Sequence, residues 1–186
     1  MTNKHRVVKE QENDDFLLRE AWHVVTRHIQ YAEVMPKCAL QEDLVAMIFA
    51  FHVIENYLNY VGQKVAPTLW ENERATFRRA GLTGRLNAVY ERCGIATPNK
   101  GRRPHSTLAE LEKLYDRLSN GKRRRPHGNV EFQDHKSCPS FAHSDFACIV
   151  SHNKAVKARD DVKRIIDEIN GAASQRFPQM RLTLTL

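Results

Sequence analysis

Long apolar runs are missing from this chain. Its most apolar stretch, Leu44 to Ile54, is broken by His52 and closed by Glu55. That is well short of the roughly 20 residues a bilayer span needs, so neither a transmembrane helix nor a membrane partner is expected. A secretory leader is not expected either, because the basic start Met-Thr-Asn-Lys-His-Arg runs into Lys9, Glu10, Glu12, Asp14 and Asp15 rather than an apolar segment. The expectation is a cytoplasmic protein. Cysteine is scarce, and Cys38, Cys93, Cys138 and Cys148 lie far apart, which suits reduced thiols better than a disulfide framework. Eight Gly and seven Pro in 186 residues exclude collagen-like and linker architectures. Disorder is excluded by 41% hydrophobic residues. What remains is one compact domain with short tails, carrying a net charge of +7.

The apolar period is helical. From Asp14 to Ala32, Leu17, Ala21, Val24, Val25, Ile29 and Ala32 recur mostly three or four apart, which predicts an amphipathic helix. From Gln41 to Val65 the stripe Leu44, Ile48, Phe51, Leu58 is flanked by Met47, Ile54 and Val61, so this helix is apolar around most of its circumference and should be central. Pro67 ends it. A third helical region, 69–93, is expected to break near Gly81 and to be capped by Gly94. A basic loop covers 95–105. Thr107 and Glu110 have capping-box spacing ahead of Leu108, Leu111, Leu114, Tyr115 and Leu118, a fourth helix ended by Asn120-Gly121. Residues 122–149 show little periodicity and read as a long irregular segment. The last helix is expected over 153–170, with Gly171 as its cap, followed by the alternating tail 180–186. These elements make an all-α, antiparallel bundle of about five helices, with tails at 1–13 and 173–186 around a domain at 14–172.

Glu55 stands in a stripe whose other members are apolar, so its carboxylate needs a partner from another helix. A structural contact fixing helix register and a catalytic role both fit, and Asn59, one turn on, is placed to extend the same network. Charge is concentrated elsewhere. Nine bases and three acids between Lys100 and Arg125 account for six of the seven net positive charges. Arg102 and Arg103 before the fourth helix, and Lys122, Arg123, Arg124 and Arg125 after it, are candidates for phosphate or RNA contact, against the plainer role of a solubilising surface. His135, Cys138, Cys148 and His152 have spacings that a tetrahedral zinc site accepts, but neither half is a Cys-x-x-Cys pair, so no metal and no other cofactor is expected.

The central helix carries Glu55-Asn-Tyr57-Leu-Asn59. A short Trp-containing segment follows at Trp70-Glu-Asn-Glu, and a later helix closes on the polar turn Asp116 to Gly121. In these features the chain resembles the HEPN domains of prokaryotic defence and toxin–antitoxin systems over roughly residues 14–172. The resemblance implies a helical bundle, usually a homodimer, and in many members a metal-independent ribonuclease whose signature is an Arg, then about four to six residues, the first commonly polar, then a His. Aligned on the Gly-Lys after the fourth helix, this chain has Tyr115 in the Arg position, Asp116 at the polar position and Asn120 in the His position. No Arg followed by a His at that spacing occurs anywhere in the sequence; Arg19 to His23 and Arg123 to His127 are each one residue short. An amide does not titrate near neutral pH and carries no proton for such a reaction. The expectation is therefore a catalytically degenerate member that binds RNA or a protein partner. Two alternatives are a ribonuclease using Glu55, Tyr115, Asp116 and a histidine such as His105 or His127, and a structural helical dimer with a zinc-stapled loop.

Overall fold

The computed structural model describes residues 2–119 and 149–178, all helices and connections, with no strand among them. The helices are α1 (Thr2–Val34), α2 (Ala39–Val65), α3 (Pro67–Trp70), α4 (Glu73–Thr76), α5 (Gly81–Cys93), α6 (His105–Ser119) and α7 (His152–Arg176). The all-α bundle is as expected. The third helical region resolves into three pieces, two of them single turns. The Asn120-Gly121 helix end, the irregular segment 122–148 and the tail 180–186 lie outside the described residues.

α2 is the axis of the bundle and packs against α1, α3, α5, α6 and α7. Ala50, Val53, Ile54, Tyr57, Leu58 and Val61 are fully buried along it. It is the one described helix long and apolar enough to cross a membrane by length and composition, and most of its apolar window is covered by other helices. The centre of its buried face follows Ala46, Ala50, Val53 and Tyr57, while Leu44, Ile48 and Glu55 border it half-buried. Small residues at 46 and 50 let neighbouring helices approach, which moves the contact line off the bulkier stripe.

Several boundaries and faces differ from the sequence reading. α1 begins at Thr2, not Asp14; there is no Gly or Pro before Pro36 to stop it, and its polar residues are mostly good helix formers. Its inward face is Leu18, Trp22, Val25, Ile29 and Ala32, whereas Leu17 is exposed. Two parallel apolar rows occur one residue apart, and the row holding the indole is the one buried. Gly171 does not cap α7, which runs on to Arg176 because Ala173 and the half-buried Phe177 continue the apolar row of Ile166 and Ile169. That burial outweighs the roughly 1 kcal/mol penalty of a helical glycine. Gly94 does cap α5, at φ 74°, and the Ile95 amide returns to the Tyr90 carbonyl at 2.9 Å.

Polar contacts tie the helices together. The Tyr57 hydroxyl in α2 donates to Asn170 Oδ1 in α7 at 2.7 Å. His28 of α1 bonds Glu42 of α2. His152 at the start of α7 meets Asp43 of α2 at 3.0 Å through Nδ1, and Glu33 of α1 at 3.5 Å through Nε2.

Candidate functional site

Where α5 ends, the left-handed turn at Gly94 sends the chain across the bundle end through residues 95–104 before α6 begins. The connection is fastened at Arg103, whose Nε and Nη2 each lie 2.9 Å from an oxygen of Asp161 in α7. Asp161 is 3% exposed and also accepts from the Thr107 hydroxyl. This replaces the expected capping box, because α6 starts two residues before Thr107 and its hydroxyl is committed to α7. Glu110 likewise faces away from the cap and bonds Lys157.

Pinning this connection leaves an open cleft of about 790 Å³ between it, the end of α5 and α7. Arg102, His105, Tyr90, Arg164 and Glu168 line it, with Pro98 and Pro104 supplying apolar wall. Three polar groups form a chain across its floor. The Tyr90 hydroxyl is 2.7 Å from Glu168 Oε2 and 2.9 Å from His105 Nε2. Burial and the Glu168 bond hold the Tyr90 hydroxyl protonated far above the ordinary phenol range. Its single proton goes to the carboxylate, so its oxygen accepts from His105, and Nε2 is the nitrogen that carries hydrogen. Nδ1 makes no hydrogen bond among the described residues. Burial lowers the His105 pKa below the ordinary imidazole value; nearby Glu168 opposes this shift and Arg164 adds to it.

The sequence-derived candidates separate into those the fold brings together and those it does not. Glu55 is paired with another helix, as expected: Arg85 Nη1 of α5 lies 2.9 Å from its Oε1, and Arg85 Nη2 reaches Glu73 at 2.6 Å. Glu55 is 28% exposed, so it is a rim residue and not a core one. Tyr115 stacks on Phe51 at 4.5 Å and presents its ring edge-on to His52 at 5.2 Å. His52 in turn lies 4.0 Å from Glu55. Glu55 and Tyr115 thus flank one histidine, while Asp116 is exposed with no hydrogen bond or ion pair among the described residues. Asn59 joins a different contact, accepting from the Trp70 indole at 3.3 Å.

Of the basic candidates, Arg102 is exposed at the cleft, whereas Arg103 is bound to Asp161, which neutralises it locally. Lys122, Arg123, Arg124 and Arg125 lie outside the described residues, as do His135, Cys138 and Cys148. His152, the fourth zinc candidate, uses both ring nitrogens on Asp43 and Glu33. Among the described residues no group of three His, Cys, Asp or Glu side chains is arranged to hold a metal.

Tyr90, Arg164 and Glu168 are cleft residues that sequence reasoning did not single out. One signal was available. Asp161 falls within the apolar row Ala158, Val162, Ile165, Ile169 of α7, the same kind of charge in a buried face that marked Glu55. The chain matches no protein family, no curated protein and no solved structure.

Proposed function

We propose that this protein binds RNA, without cleaving it, through phosphate contacts at the cleft between α5, residues 95–104 and α7. One observation carries the reading. Arg102 and Arg164, far apart in sequence, line the same cleft exposed, and neither makes an ion pair among the described residues, while the neighbouring Arg103 is held by Asp161. Guanidinium groups without a protein counter-ion match phosphate oxygens in geometry and charge. The HEPN resemblance supplies the rest of the proposal: a cytoplasmic homodimer in a bacterial defence or toxin–antitoxin-like setting, with a protein partner as the other ligand class. An active ribonuclease on non-standard residues has less support, because His105 lines a cleft that does not include Glu55, Tyr115 or Asp116.

The test is binding of labelled single-stranded RNA over a salt series with EDTA present. Binding should weaken with salt, and Arg102→Ser or Arg164→Ser should each reduce the log–log slope by about 0.7. The RNA should stay intact. Absent or salt-insensitive binding overturns the proposal, as does cleavage that survives EDTA.

A further inference from the structure

The cleft that carries the RNA reading brings acids and bases together around one histidine, His105. Arg103 is paired with Asp161, and Asp167 with Lys163, which leaves Arg102 from the 95–104 connection and Arg164 from α7 beside Glu168. Tyr90, the group facing His105 from α5, is held protonated and adds no charge. An anion entering this cleft therefore meets two arginines that have no ion-pair partner among the described residues. The residue able to add to that charge is His105. Its Nε2–H is fixed on the Tyr90 oxygen by the chain to Glu168, at 2.9 and 2.7 Å. The open nitrogen is Nδ1, and a proton added there creates a new donor and one net positive charge without turning the ring or breaking the Tyr90 bond.

We propose that the cleft is a single-phosphate site in which His105 is a ligand alongside Arg102 and Arg164, taking up one proton at Nδ1 as a phosphate of the bound strand arrives. This rests on the RNA reading above and specifies how that site works. The Tyr90–Glu168 pair is the positioning element, because it fixes the histidine tautomer and keeps Nδ1 as the nitrogen that titrates. His105 is partly buried, and burial keeps it neutral in the free protein near pH 7. An anion at the site favours the protonated form, and by linkage protonation favours the anion by the same factor.

The probe is a five-residue oligouridylate, whose backbone and bases keep one charge state between pH 5.5 and 7.5. Its affinity for the intact protein should rise roughly tenfold from pH 7.5 to pH 5.5 for one linked proton. Calorimetry in two buffers of different ionisation enthalpy should show proton uptake averaging about half an equivalent over that range. His105→Gln, whose amide still donates to the Tyr90 oxygen, should bind without the pH dependence and without proton uptake. Independently of any variant, NMR titration of His105 in the wild-type protein should show its pKa raised by saturating oligouridylate. Binding that is independent of pH, a pH dependence retained in full by His105→Gln, or an unmoved His105 titration overturns this inference and leaves the RNA reading standing. No binding at either pH overturns both.

Discussion

Arg103 and Asp161 form a two-point fork, Nε to Oδ2 and Nη2 to Oδ1 at 2.9 Å each, that joins a half-exposed guanidinium to a carboxylate left 4% exposed. A carboxylate that deep is tolerated because both of its oxygens accept from Arg103, and Oδ2 also accepts from the Thr107 hydroxyl. The fork is also what holds the wall of the cleft against α7.

Arg102 and Arg103 are neighbours in sequence with opposite roles. Arg103→Ala should lower the melting temperature clearly, because it strands the Asp161 charge. Arg102→Ala should leave the melting temperature unchanged and weaken RNA binding. Asp161→Ala should cost about 1–3 kcal/mol through the orphaned Thr107 hydroxyl. Thermal melts of the three variants beside one salt-series binding measurement check this; equal melting behaviour of the two arginine variants contradicts it.

Glu55 should matter modestly. Arg85 keeps Glu73 when Glu55 is removed, and the ion pair is partly wetted. Glu55→Ala should therefore cost about 1 kcal/mol. Removing Glu73 as well should cost more than the sum of the single changes, since Arg85 is then left half-buried without a partner. A double-mutant cycle by chemical denaturation reads this directly.

Asp43 gives a pH dependence of defined sign. Burial raises its pKa above the ordinary aspartate value, against the lowering effect of the bond from His152. The folded state thus holds the Asp43 proton more tightly than the unfolded state, so this group's stabilising contribution is complete below the unfolded pKa and is lost as pH rises through the folded one. Asn at this position still accepts from His152 and never ionises. The melting temperature of Asp43→Asn relative to wild type should accordingly rise between pH 3.5 and pH 6. A difference that stays constant or falls over that range would show that the charged carboxylate is favoured in the fold.

How far the sequence could be read depended on whether a signal lay within one element or between several. A charge interrupting an apolar row is visible within a single helix, as at Glu55; Asp161 carries the same mark in α7. The identity of the partner, Arg85 or Arg103, is fixed only by tertiary packing. Tyr90, His105 and Glu168 belong to three helices, and none departs from the pattern of its own segment, so their hydrogen-bonded chain has no local trace. Helix faces were ambiguous for a related reason. α1 offers Leu17-Ala21-Val24 and Leu18-Trp22-Val25 as competing rows, and the choice is made by what α2 presents to them. Ends were misplaced where burial overrode a local stop signal, as at Gly171, and placed correctly where backbone conformation decided, as at Gly94.

The junction of α2 and α3 supplies the last test. Pro67 turns the chain so that Trp70 lies back on α2, where its indole donates to Asn59 at 3.3 Å and packs on Phe77 with ring centroids 4.8 Å apart. The indole covers the backbone of Gly62 so closely that a Cβ there would stand 2.1 Å from the ring. The ring has little freedom to retreat, since it is 7% exposed and held on both sides. Gly62 normally weakens a helix relative to Ala, so an unhindered Gly62→Ala would stabilise α2. Here the clash should dominate, costing about 1–3 kcal/mol as α3 is displaced. Trp70→Phe, which removes the benzo portion of the indole that meets Gly62, should recover much of that loss when combined with Gly62→Ala, although alone it forfeits the Asn59 bond and apolar burial. Denaturant unfolding of the two single variants and the double decides the matter: an additive double, or a Gly62→Ala more stable than wild type, would mean that the indole does not lie against this glycine.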